Sequence, residues 1–206
     1  MDGYGLSDET EGNAIGPDCS PYIKYLKETY PFTKLDASGE AVGLPAGQMG
    51  NSEVGHLNIG AGRVVRQELS RITKSIENRD FFENEVLLNA VGAAKNGKLH
   101  LMGLVSDGGV HSHITHIYAL LELAKRQGVE AYVHCFTDGR DTDPKSGANF
   151  VKELHDKMAE LGVGKIASVC GRYYAMDRDK RWDRLEKAYD MLTLGAGVKA
   201  EDPVKA

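Results

Sequence analysis

The chain has 206 residues, 41% of them hydrophobic, and a net charge of −5 with both signs mixed along its length. That is enough to fill the core of one large domain or two modest ones, and it offers no basic face for a nucleic acid or an anionic membrane surface. Three scattered cysteines, Cys19, Cys135 and Cys170, show no C-x-x-C spacing. They argue against a disulfide scaffold or zinc knuckle and fit a reducing compartment, each as a small buried apolar residue.

No stretch approaches an apolar membrane span, and no basic-then-apolar signal layout opens the chain, so a soluble, cytoplasmic protein is expected. The chain starts on "MDGYGLSDETEGNAIG", a glycine-rich turn of the kind that usually follows a strand. "PYIKYLKETYP" reads as a short helix ended by Pro31, and "FTKLDASGEAVGLPAG" as extended and turn-rich. Residues 52–98 read as mostly helical, ending at Gly97. Types then alternate: strand "LHLMGLVSD", helix "HITHIYALLELAKRQG", strand "VEAYVHCFTDG", helix "GANFVKELHDKMAELG", strand "KIASVCG", helix "KRWDRLEKAYDMLTLG". Strands alternating with helices of this length predict an α/β fold with a parallel sheet flanked by helices.

In such folds ligands gather at the carboxyl ends of the strands. The three loops there are "SDGGVHSH", "TDGRDTDP" and "GRYYAMDRDKRWDR". They supply His111, His113, Arg140, Asp141, Arg172 and Arg178 to one expected rim. Guanidiniums converging with a histidine suit a small, oxygen-rich, doubly charged anion such as a phosphorylated carboxylic acid, because Arg binds phosphate and carboxylate bidentately. Each loop also has a plainer reading. His111, His113 and His116 are a metal trio or merely polar residues at a helix start, the latter favoured for this loop alone. "DGRDTDP" is also a turn. Arg181 and Arg184 are assigned to a solvated helix face with i,i+4 pairs such as Asp177 with Arg181 and Asp183 with Lys187.

The stretch "GQMGNSEVGHLNIGAG" places Ser52 before an apparent helix. The plain reading makes Ser52 the helix N-cap. The sharper one uses the same geometry, since a helix N-terminus presents N–H groups to an oxyanion and glycines let a substrate come close. A serine hydroxyl needs a base or metal to become a nucleophile. No G-x-S-x-G elbow is present, which argues against a serine hydrolase, and Asp2 is a candidate oxygen ligand for an activating metal. "GAGRVV" follows no strand, so the dinucleotide-binding fingerprint fails its context, and no Walker A loop is present.

Taken in order, "MDGYGLSDETEGNAI", "MGNSEVGHLNIGAGRVV", "SDGGVHSH", "TDGRDTDP" and "GRYYAMDRDKRWDR" resemble the cofactor-independent (2,3-bisphosphoglycerate-independent) phosphoglycerate mutases across essentially the whole chain. The resemblance implies interconversion of 3-phosphoglycerate and 2-phosphoglycerate in glycolysis and gluconeogenesis, with two divalent metals, usually manganese, and no 2,3-bisphosphoglycerate. It implies that Ser52 is a metal-bound nucleophile forming a phosphoserine and that Asp2 is a metal ligand. It places His113, Arg140, Asp141, Arg172 and Arg178 on substrate-contacting positions. Residues 1–66 would be an incomplete, N-terminal piece of an alkaline-phosphatase-like metal domain, and residues 67–206 most of an inserted phosphotransferase domain.

Family members are more than twice this length, so the resemblance makes the chain an N-terminal fragment lacking most metal ligands. Such a fragment is expected to be inactive alone, and the full-length protein to be a monomer. Two alternatives stand beside it: another metal-dependent phosphatase or phosphomutase of the same superfamily, and a noncatalytic module that binds a phosphorylated metabolite. The incomplete metal domain would leave an open sheet edge and uncovered apolar surface, predicting poor solubility.

Overall fold

The computed structural model describes residues 4–16 and 19–205. The chain divides into two compact units, with the break after Gln67. No helix among the described residues is long and apolar enough to cross a membrane.

The first unit holds two helices and no strand among its described residues. Helix α1, Pro21–Thr29, starts on proline, whose missing N–H costs nothing at that position. It ends where Tyr30 turns extended ahead of Pro31. Helix α2 spans Ser52–Ala61 and closes on left-handed Gly62. A 3-10 turn, Gly39–Val42, lies in the stretch expected to be extended and turn-rich. Asn58 ties α2 to its surroundings: its Nδ2 donates to the Val42 carbonyl at 3.0 Å, and its Oδ1 accepts from Val65 N–H at 2.6 Å. Two glycines permit this fold. A Cβ on Gly43, at φ +81°, would meet the Val65 carbonyl oxygen at 2.1 Å, and one on Gly50 would meet that of Ala37 at 1.7 Å. The buried apolar cluster is small: Val42, Leu44 and Val54.

The second unit is α/β. Three parallel strands, β1 Leu99–Leu104, β2 Ala131–Thr137 and β3 Lys165–Gly171, lie side by side in chain order. The crossovers carry α5, Ile114–Gln127, and α6, Gly147–Leu161. On one face Ala131, Val133 and Cys135 are wholly buried against Ile117, Leu121, Leu154 and Met158. That period-two burial packs helices against the sheet. The opposite face leaves His100 and Met102 exposed. Helices α3, Glu68–Asn78, and α4, Glu85–Ala93, precede the sheet, and a second cluster packs Phe81, Phe82 and Val91 against Leu123 and Val129. Short α7, Arg172–Ala175, and α8, Trp182–Leu194, follow β3.

Several differences from the sequence reading have local causes. The helical stretch 52–98 is cut by left-handed Gly62, by left-handed Arg79 (φ +75°), and by Asn84, which caps α4 by accepting from Val86 and Leu87 N–H. Strand β1 stops at Leu104, short of Asp107, and α7 was not anticipated. The register between β2 and β3 shifts at Val133/His134, an irregularity that pattern alone does not reveal. Of the cysteines, Cys135 is buried, with burial pushing its thiol up to about 12, but Cys19 is exposed rather than buried.

Candidate functional site

Ser52 is exposed and is the first residue of α2, not its N-cap. Asn51 takes the capping role, its Oδ1 accepting from Val54 N–H at 3.1 Å. The Ser52 hydroxyl is therefore not the cap of the helix. Its Oγ lies 3.1 Å from His56 Nδ1, one turn on, and that nitrogen is 2.9 Å from the Ser52 carbonyl oxygen. A carbonyl only accepts, so Nδ1 carries the proton and its N–H faces both oxygens. Asp2 lies outside the described residues.

In the second unit the carboxyl ends of the strands converge on one carboxylate that the sequence reading passed over. Asp138, whose side chain is 2% exposed, accepts from Ser106 Oγ at 2.7 Å, from Arg140 N–H at 3.1 Å, from Asp141 N–H at 3.0 Å and from Arg172 Nη1 at 2.7 Å. These donors come from the loops after β1, β2 and β3. Burial pushes the Asp138 carboxyl up, but its hydrogen bonds from Asp141, Ser106, Arg172 and Arg140 outweigh burial and hold it at about 2. Arg172 Nη1 is also 2.7 Å from Asp141 Oδ2, so one guanidinium bridges two carboxylates. Burial would lower the Arg172 pKa, yet Asp141 and Asp138 raise it. His111 Nε2 lies 3.9 Å from the same Asp141 oxygen. The fit is close at Gly108, where a Cβ would come 3.1 Å from the Asp141 Cβ.

The structure thus brings Arg172, Asp141 and His111 together, though as an ion-paired network and not as a set of bare cations. Arg140 and Arg178 are exposed beside it in sequence, on the loops after β2 and β3. His113 is engaged at the start of α5: its Nδ1 accepts from Thr115 N–H at 3.3 Å and lies 2.8 Å from Thr115 Oγ1. His116 points elsewhere, its Nε2 2.9 Å from Thr73 Oγ1 on α3. Among the described residues no three His, Cys, Asp or Glu side chains gather as a metal site, so the histidine trio is not one.

In the arginine run after β3, Arg181 is exposed as expected of a solvated face, whereas Arg184 is not. Arg184 is 22% exposed, pairs at 3.5 Å with Asp177 (4% exposed), and lies over the Tyr173 ring at 4.1 Å. Arg181 turns to Asp183 in a bidentate pair, 3.0 Å for each contact, instead of forming the expected ion pair with Asp177. A cleft of about 490 Å³ opens near the rim, lined by Leu69, Ile72, Met102, His111, Phe136 and Met176 among others.

The family described as the BPG-independent PGAM N-terminus matches residues 72–206. A 2,3-bisphosphoglycerate-independent phosphoglycerate mutase of Lachnoclostridium phytofermentans is 65% identical over 209 residues, covering 100% of this chain and 41% of the relative. That of Moorella thermoacetica is 58% identical with the same coverage. Among solved structures, phosphoglycerate mutase of Leishmania mexicana, crystallised at low cobalt concentration, superposes with a TM-score of 0.73 at 36% identity, over 91% of this chain and 36% of that one. The chain spans about two fifths of the length of the curated relatives it matches. With the family match covering residues 72–206 and relatives at 58–65% identity covering the whole of it, this chain belongs to the 2,3-bisphosphoglycerate-independent phosphoglycerate mutase family.

Proposed function

We propose that this chain is the N-terminal part of an enzyme that interconverts 3-phosphoglycerate and 2-phosphoglycerate without 2,3-bisphosphoglycerate, in the glycolytic and gluconeogenic direction alike. The observation that carries the reading is the Asp138–Arg172–Asp141 network at the carboxyl ends of three consecutive parallel strands. It holds one guanidinium at a fixed place, which is what orienting a small dianion requires.

In this reading residues 1–66 belong to a metal-binding domain and residues 67–206 to a substrate-binding one. Arg172, Arg140 and Arg178 hold carboxylate and phosphate, Asp141 accepts from a glycerate hydroxyl, and His113 lines the same site. Ser52 Oγ forms a bond to phosphorus as the bond to the glycerate oxygen breaks. The proton lost by the serine balances the one gained by glycerate, and the reverse transfer to the other hydroxyl completes the isomerisation. The His56 N–H beside Ser52 Oγ favours one rotamer of that nucleophile.

Two divalent ions, manganese by the resemblance, would supply charge neutralisation at the phosphoryl group. The described residues of this chain do not fit them: Ser52 stands apart from any cluster of three ligating side chains, and Asp2 lies outside the described residues. The steps above are therefore those of the chain's own side chains. For the same reason the 206-residue chain alone is proposed to be inactive; the whole enzyme, by the resemblance and the sequence layout, is proposed to be a cytoplasmic monomer. A second reading, a module that binds phosphoglycerate without turning it over, is favoured by the same lack of ligands together with the preformed rim.

The test is conversion of 3-phosphoglycerate to 2-phosphoglycerate with added manganese, by this chain and by the full-length mutase, each beside Ser52→Ala. Expected are silence from the chain, turnover by the full-length enzyme, and loss of that turnover by at least about a thousandfold on removing the nucleophile. Turnover that survives Ser52→Ala overturns the assignment. Saturable binding of phosphoglycerate to the silent chain, with no Ser52-dependent turnover by the full-length protein, selects the binding module.

A further inference from the structure

The uncovered face of the sheet carries a row of side chains that the proposed reaction does not use. His100 on β1 and His134 on β2 bring Nδ1 and Nε2 to 3.0 Å, with the rings 18° from parallel. His134 turns its other nitrogen, Nδ1, to Ser168 Oγ on β3 at 2.8 Å. The register sets Met102, 61% exposed, opposite His134. We propose that His100 and His134 form a two-histidine chelate for a borderline divalent transition ion of the nickel, copper or zinc class, with water completing its coordination.

Two features support this site, and it stands independently of the mutase reading. First, two imidazole nitrogens each about 2.0–2.1 Å from one ion lie roughly 3 Å apart when they bind at a right angle, so the separation is already in place. At present a hydrogen bond fills the gap. One of the two nitrogens carries the proton of that bond, so binding an ion requires the proton to leave for solvent or the ring's other nitrogen, and the exposed His100 ring, stacked on Tyr132 at 5.6 Å, to turn until both lone pairs meet at one point. Second, Ser168 Oγ, 2.8 Å from His134 Nδ1, can accept from that nitrogen when Nε2 binds an ion, and an outer partner of that kind is how metal-bound histidines are oriented.

The surroundings set the strength and the preference. Lys98 lies over the Tyr132 ring at 5.4 Å, and Lys165 stands opposite Tyr132 in register, so the local charge is positive and affinity is modest. Met102 adds a thioether to the same face, and with imidazole ligands the order of affinity runs toward nickel and copper.

The experiment titrates nickel ion into the 206-residue chain by calorimetry, with parallel NMR observation of the seven histidine rings. Expected are one ion per chain with a dissociation constant below millimolar, and paramagnetic broadening of His100 and His134 before any other histidine. His100→Gln and His134→Gln should each weaken binding at least about tenfold, while Ser52→Ala leaves it unchanged. Because His100 is exposed, its variant should keep the wild-type Tm, which separates lost ligation from lost folding. The proposal falls if binding does not saturate by millimolar nickel, if His111, His113 or His116 broadens first, or if His100→Gln binds as the wild type does.

Discussion

A carboxylate with 2% of its side chain exposed stays ionised only when donors replace its water, and Asp138 receives them from Ser106, Arg140, Asp141 and Arg172. Its folded pKa, about 2, lies below the ordinary 3.8. The stability it contributes is therefore complete above about pH 4 and lost as pH falls toward 2, roughly 2 kcal/mol across that window. Asp138→Asn should lower stability at pH 7 by about 2 kcal/mol and flatten the acid limb, measured by urea unfolding between pH 2 and 7. An unchanged acid limb in the variant would sink the assignment. Asp138 went unread in the sequence because "TDGRDTDP" is also a sound turn, and nothing in a string shows which aspartate points inward. Arg184 reads in the sequence as part of a solvated face for the reverse reason. An i,i+4 pairing rule fits the run "DRDKRWDR" in several ways, and only burial of Asp177 selects Arg184 as its partner.

Elements were far more legible than contacts. The strand "KIASVCG" is β3 residue for residue, and α5 and α6 differ from their expected spans only at the ends, because period and capping glycines are written locally. The cap of α2 was misplaced by one, since Asn51 and Ser52 are both good caps and the chain uses the first. Asn51→Ala should accordingly cost about 1 kcal/mol in the first unit, whereas Ser52→Ala should leave stability within about 0.5 kcal/mol, a contrast that thermal unfolding reads directly. Helices α3 and α5 are joined by His116 and Thr73. Burial, then His113, lowers the His116 pKa below 6.5, and His134 is lowered by burial and then His100. Each ring's neutral form is the one the fold favours, so this stability is complete above about pH 6.5 and declines as pH falls through it. Tm should drop from pH 7 to pH 5, and His116→Gln, which keeps a polar partner for Thr73, should shrink that drop. An equal drop in the variant would assign it to other groups.

At the scale of the molecule the two units differ in how they are held. The second has two apolar clusters with wholly buried leucines at 121, 123 and 154, while the first has, among its described residues, a buried cluster of Val42, Leu44 and Val54 and exposes Tyr22, Tyr25, Tyr30, Phe32 and Leu35. The first unit should open at lower free energy. Hydrogen exchange should show backbone amides of 21–67 exchanging at least about tenfold faster than those of β1–β3, and equal protection would refute the difference. Exposed aromatics on a thin core also keep the sequence-based expectation of poor solubility open to a direct sedimentation test.

The strands stand in the sheet in the order in which they occur in the chain, each pairing with the one made just before it across a single helical crossover. No strand has to wait for a distant segment or thread between neighbours already paired. During synthesis, β2 can therefore join β1 as soon as β2 itself has followed α5 out of the ribosome, and β3 can join once it has followed α6, so this unit can grow vectorially with short loop closures. The burial of Ser106 and Asp138 follows the same schedule, and the strand-end network is completed only when Arg172, the first residue after β3, emerges.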